Sequence, residues 1–223
     1  RDLVFLKGND RYEVDSFTVE SINKEEETIV DIQSEIMTAR YEGSAKFTEL
    51  GKLLQDHFLH YMDSMKRETL TTPVSRFFTF DMVFHGSDLF TEILLPGLDE
   101  ISPVNIHADF EQSTNHFQAE IIVPAVDYNG IEVDSFRTTI HSDEHRLTAE
   151  LRLQQIARND FKISNIILDA TARQDSLYTR FLMKDHDARP KYHIASLTTR
   201  EQKDYLWQLV PDSLILNYKS WEI

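Results

Sequence analysis

Residues 116–156 read HFQAEIIVPAVDYNGIEVDSFRTTIHSDEHRLTAELRLQQI. In an extended chain Phe117, Ala119, Ile121 and Val123 share one face, opposite Gln118, Glu120 and Ile122. Leu147, Ala149, Leu151 and Leu153 likewise oppose Thr148, Glu150 and Arg152. Period-two alternation of this length predicts strands with one dry and one wet face. Between them, "DYNG" at 127–130 and "HSDEH" at 141–145 supply residues that tolerate tight turns, so the chain reads strand, short turn, strand.

The pattern extends in both directions. "ARND" at 157–160 and "RQDS" at 173–176 are further turn signals, giving an antiparallel meander from about residue 104 to 196. Upstream, "FFTFDMVFHG" puts Phe78, Phe80, Met82 and Phe84 on one face and Thr79, Asp81, Val83 and His85 on the other. Three segments depart from alternation. Residues 47–65 carry Phe47, Leu50, Leu54, Phe58, Tyr61, Met62 and Met65 at helical spacing. Ser87 is an N-cap candidate for a short helix over 88–95, stopped by Pro96 and Gly97. Thr199 followed by Gln202 has capping-box spacing and predicts a helix over 200–209, ended by Pro211. The expected fold is therefore mainly β: a long antiparallel meander with two or three inserted helices. The whole of 1–223 reads as one continuous β-rich fragment of a longer protein, since both ends look strand-like, with 1–70 and 71–223 as candidate sub-repeats.

One phrase occurs twice: "YEVDSFTVES" at 12–21 and "IEVDSFRTTI" at 131–140. In both, the apolar alternation slips by one residue at Asp-Ser, between Val14 and Phe17 and between Val133 and Phe136. A shared β-bulge or bend would leave that mark.

Composition excludes several functions. The chain has 38 acidic and 23 basic residues and a formal charge of -15, which repels nucleic acid. It has no cysteine, so disulfides, thiolate nucleophiles and Cys-ligated zinc are ruled out. No window approaches the roughly 18 to 20 apolar residues that span a bilayer. Glycines are scattered without a phosphate-binding spacing, so nucleotide cofactors have no support.

Candidate chemistry is sparse. Glu13 with Asp15 and Glu132 with Asp134 are i, i+2 pairs able to share a proton or a cation, but alternation alone puts acids on a wet face. Ser16 and Ser135 lack a Gly-rich nucleophile elbow. His57 with His60, and His141 with His145, are pairs where zinc wants three or four ligands, and "KDHDARPKYH" at 184–193 reads as a charged turn. No catalytic residue, metal or cofactor is expected. A hydrolase pairing an acid with a histidine would have His57 and Asp134 as its residues to test. What remains is the apolar face itself, which must be covered by another sheet, by the protein's own helices or by an apolar ligand.

"DYNGIEVDSFRTTIHSDEHRLTAELRLQQI", "ISNIILDATARQDSLYTRFLMKD" and "LVPDSLILNYKSWEI" resemble the β-rich body of the AsmA-like and TamB family, the translocation and assembly module proteins of double-membraned bacteria. The shared rhythm is a turn at Tyr128–Gly130, strands over Ile131–Phe136 and Leu147–Ile156, an Asn165–Leu168 phrase and an Asp175–Leu177 turn. The resemblance implies a sheet curled into a U-shaped, taco-like groove that passes phospholipid acyl chains across the periplasm. It also implies an inner-membrane tether and outer-membrane assembly partners reached through segments absent from this sequence. The groove-lining candidates are Phe78, Phe80, Met82, Phe84, Phe117, Ala119, Ile121, Val123, Leu147, Ala149, Leu151 and Leu153. The rival reading is a closed β-rich scaffold or interaction module of the cell envelope whose apolar faces enclose nothing.

Overall fold

The computed structural model describes residues 3–7, 10–14, 16–24, 26–62, 75–86, 91, 95, 97–201 and 204–222. Alternation becomes antiparallel pairing almost throughout. β1 (Leu3–Lys7) and β2 (Asp10–Val14) form a two-stranded sheet of their own. The main sheet opens with β3 (Phe17–Asn23), β4 (Thr28–Ser34) and β5 (Met37–Gly43), after which comes the one α-helix among the described residues, α1 (Phe47–Met62). It continues through β6 (Phe77–Phe84), β7 (Leu98–Ile101), β8 (Val104–Glu111), β9 (His116–Tyr128), β10 (Ile131–Ser142) and β11 (Leu147–Arg158). β12 (Phe161–Arg173), β13 (Ser176–Lys184), β14 (Pro190–Glu201), β15 (Asp204–Leu209), β16 (Leu214–Leu216) and β17 (Lys219–Trp221) complete it.

This 15-stranded sheet is an open meander: β3 and β17 stand at the two ends of its strand order, and it does not close into a barrel. β7 pairs with the far end of β9, while β15 and β16 share the outer edge of β14. The turns follow their residues. Asn129 and Gly130 take φ of 51° and 70°, and Gln174 and Asp175 take 48° and 59°, the left-handed pairs that a two-residue hairpin needs. At 143–146 the Asp143 carboxylate accepts from the backbone N–H of His145 and Arg146 and so shapes the loop.

Of the two further helices expected, one is corrected. Residues 88–95 fall largely outside the described residues. Residues 200–209 are not helical: β14 runs on to Glu201 and β15 returns along it, pairing Thr199 with Leu206 and Arg200 with Tyr205. The capping-box spacing is overridden because β14 offers a row of backbone donors and acceptors, and the β-branched and aromatic residues Thr198, Thr199, Tyr205 and Trp207 suit pairing on it.

The slip in alternation also resolves differently from a bulge. A bulge sets two residues of one strand against one of its neighbour. Here β9, β10, β11 and β12 stay in one-to-one register on both sides of the slip. All four instead make the same three-residue step between apolar positions: Val123 to Val126, Val133 to Phe136, Leu153 to Ile156 and Ile163 to Ile166. Pairing lapses along a single row, Pro124, Ser135, Gln154 and Asn165, where Pro124 has no N–H and Ser135 and Asn165 both take a left-handed φ of 54°. The result is a crease across four strands. The first copy of the phrase is not its twin, because β2 ends at Val14 in the small sheet and Phe17 begins β3 in the large one.

Gly43 shows how tightly the chain passes from β5 toward α1. A Cβ there would lie 2.5 Å from the Phe77 carbonyl oxygen and 2.7 Å from the Phe78 Cβ. Gly43→Ala should therefore cost about 1–3 kcal/mol as overpacking against a fixed backbone. A thermal melt should show it as a fall of several degrees, whereas Gly51→Ala, with nothing within 4 Å of its Cβ, should leave the melting temperature unchanged or raised.

Candidate functional site

The register sorts the predicted apolar residues into a grid on one face. One row runs through eleven strands: Val19, Ile32, Ala39, Met82, Ile106, Ile121, Thr138, Leu151, Leu168, Phe181 and Ile194, each opposite the next. Ten apolar residues and one threonine at a strand spacing of roughly 4.8 Å make a stripe about 48 Å long, measured along the sheet. None of its members is fully buried, and Leu168 is 43% exposed.

The neighbouring rows explain what is covered. Phe78, Phe110, Phe117, Ser142, Leu147 and Ala172 form the row nearest α1, and all are buried. Leu50, Leu53 and Leu54 of α1 pack on the cluster of Tyr41, Phe78, Phe110 and Phe117, while Tyr61 packs with Leu147 and Ala172. The helix thus lies across the strands and roofs one margin of the apolar face. Between that margin and the long stripe comes a row of small residues, with Ala108, Ala119, Ala149 and Ala170 beside Phe80 and Ile140. On the far side of the stripe, Phe84 and Leu153 are again buried, with Val123 and Phe136 in the same row as Leu153. The twelve predicted residues therefore occupy four parallel rows, from the roofed Phe78, Phe117 and Leu147 to the open Met82, Ile121 and Leu151. Phe17 and Phe136 also share this face, two residues from Val19 and Thr138. Strands with no predicted groove residue, β3, β4, β5, β8, β10, β12, β13 and β14, complete the stripe. Ile106, Ala108 and Phe110 alternate as clearly as the residues chosen, and that signal was available.

The opposite face is charged, with its charges matched. Arg40 bridges Asp31 and Glu42, Arg152 pairs with Glu150, and Arg180 pairs with Asp169. Arg152 holds Glu150 below its usual pKa, chiefly through their hydrogen bond. His107 pairs with Asp81 and Asp109, and the hydrogen bond to Asp81 raises its pKa. This face is the wet one, as alternation predicts.

The helix is fixed by a buried polar contact. His57 Nε2 lies 2.8 Å from Ser142 Oγ, with Phe110 and Phe117 edge-on to the imidazole. The serine hydroxyl donates to the Asn115 carbonyl at 3.1 Å, so a neutral ring with its proton on Nε2 completes the chain. Ser142 is fully buried, and the His–Ser pair fastens α1 to β10. The Tyr61 hydroxyl adds a second fastening, donating to the Asp143 carbonyl at 2.6 Å. Burial, aided by His60 and His116, pushes the His57 pKa down to about 4.

The other candidates do not converge. Ser135 Oγ donates to its neighbour Asp134 at 2.7 Å, and Asp15 lies outside the described residues. His116 and His141 stack edge-on, 5.8 Å apart, on adjacent strands. Among the described residues, Asp185, His186 and Asp187 are close enough together to share an ion. Arg189 pairs with both carboxylates, however, and His186 with Asp187, so this is the charged turn expected of 184–193. No helix among the described residues is long and apolar enough to cross a membrane. Comparison of the chain with protein-family models, with curated proteins and with solved structures gives no match.

His57 sets an acid limit on the fold. Its folded pKa lies below the unfolded value of 6.5, so its contribution is complete above pH 6.5 and is lost as pH falls toward 4. The ring borders an open crevice with Asp56 and His60, so screening trims the effect to about 2 kcal/mol. Denaturant titrations at pH 7 and pH 4 should show that loss, and His57→Phe should flatten this component of the pH dependence.

Proposed function

We propose that the protein is a segment of a lipid-transfer bridge of the bacterial cell envelope, whose apolar face holds phospholipid acyl chains. The observation that carries this reading is the open stripe from Val19 to Ile194, bordered on the α1 side by a buried row and on the other by a row in which Phe84 and Leu153 are buried. Sequestering each acyl methylene is worth roughly 0.8 kcal/mol, and side chains such as Ile121, Leu151 and Leu168 would hold a tail without directional bonds. Non-directional contact lets cargo slide along the stripe, so the role is transport and no bond is made or broken. The resemblance to the AsmA-like and TamB body supports the same reading, and implies a periplasmic location and outer-membrane assembly proteins as partners.

A closed scaffold is the second reading, favoured by α1, which already roofs the Phe78–Ala172 row with the protein's own side chains. Native mass spectrometry of gently purified protein separates the two. The transfer reading predicts co-purifying phospholipid whose amount falls severalfold in the double variant Ile121→Glu/Leu151→Glu. It predicts retention in Thr139→Glu, which adds charge to the opposite face. A lipid-free wild-type chain supports the scaffold.

A further inference from the structure

The charged face carries one crevice whose lining mixes two ion-paired arginines with a lysine and with apolar residues. The crease leaves a crevice of about 770 Å³ on that face, floored by Ile122, Pro124 and Ile167 and overhung by the turn that follows β13. Asn165 holds that turn in place, its Nδ2 donating to the Asp185 carbonyl at 3.3 Å. Three features of the crevice are costly for a surface that only meets water. Arg137 and Arg152 stand directly opposite each other on β10 and β11, a like-charge pair in contact register. Ile122 and Ile167 flank them in the same row on β9 and β12, apolar residues on the wet face. Lys184 lines the crevice and makes no ion pair among the described residues.

The two arginines are held from one side only. Arg137 engages Glu120 and Arg152 engages Glu150, each through Nε and Nη2. Each guanidinium has five donors, so the Nη1 groups are left for a ligand. We infer that the crevice binds a small amphipathic organic phosphate, its head on Arg137, Arg152 and Lys184 and its apolar body on Ile122 and Ile167. The facing Arg137 and Arg152 suit a phosphate head, Lys184 adds positive charge to the same crevice from β13, and the volume suits a ligand of drug-like size. The crevice lies at the crease, where Phe136, Leu153 and Ile166 of the row beside the stripe also line it, but its cations project from the opposite face, and the proposal stands whether or not the stripe carries acyl chains.

Calorimetric titration of the whole chain with monomeric dihexanoylphosphatidic acid and, separately, with inorganic phosphate tests the assignment. The phosphatidate should bind saturably and at least tenfold more tightly than phosphate, the difference reporting the apolar floor. Arg152→Gln and Lys184→Gln should each weaken it at least tenfold with an unchanged melting temperature, and Ile167→Ser should weaken phosphatidate but not phosphate. The double variant Ile121→Glu/Leu151→Glu should keep this binding, which separates the crevice from the stripe. No saturable binding, equal affinity for the two probes, or affinity unchanged in both cation variants overturns the assignment.

Discussion

Each strand of the meander has to turn its apolar residues toward the same side as its neighbours. With a side-chain period of two there are only two choices, and a one-residue slip between any pair would send the rest of the stripe to the wet face. The structure keeps phase through tight turns whose residues take left-handed φ, as at Asn129–Gly130 and Gln174–Asp175. Where the sequence itself slips, at the crease, β9 to β12 slip together and register survives. That common step preserves one apolar face over strands 12 or 13 residues long.

Phase creates a problem that the helix solves in part. An apolar face spanning this many strands cannot be left wholly in water, and α1 covers only its margin. Its docking combines leucines on the Tyr41 cluster with two polar fasteners, His57 on Ser142 and Tyr61 on the Asp143 carbonyl. A buried histidine is tolerable because its Nε2–H meets a hydroxyl that itself has a carbonyl to donate to. The fastening depends on a neutral ring, so the roof and the fold beneath it share an acid limit. The central stripe stays open beside this roof, and its accessibility is the property on which a transport role rests.

The sheet was legible because alternation is a strong and repeated signal: β6, β9 and β11 fall where Phe78–Phe84, Phe117–Val123 and Leu147–Leu153 place them. Helix α1 was legible from its apolar stripe. The 200–209 segment was misread because a capping-box spacing is local information, whereas the open edge of β14 is a tertiary fact invisible in a short window. The slip at Asp-Ser was visible in one strand, but its meaning lay in the register of four. The crevice was hidden for the same reason: Arg137 and Arg152 are fifteen residues apart in sequence and opposite one another only after β10 pairs with β11. Of the candidate face, the rows could be listed strand by strand, yet which row is roofed and which is open depends on where α1 lies.

Photolabelling tests the central claim most directly, since the claim concerns where an acyl chain would lie. A phospholipid bearing a diazirine near the end of its acyl chain would be incubated with the protein, irradiated, and the adducts located by peptide mass spectrometry. The account predicts adducts on Met82, Ile121, Leu151 and Leu168, along the open stripe. Adducts confined to the opposite face around Glu120 and Glu150, or none above the level of a denatured control, would contradict it.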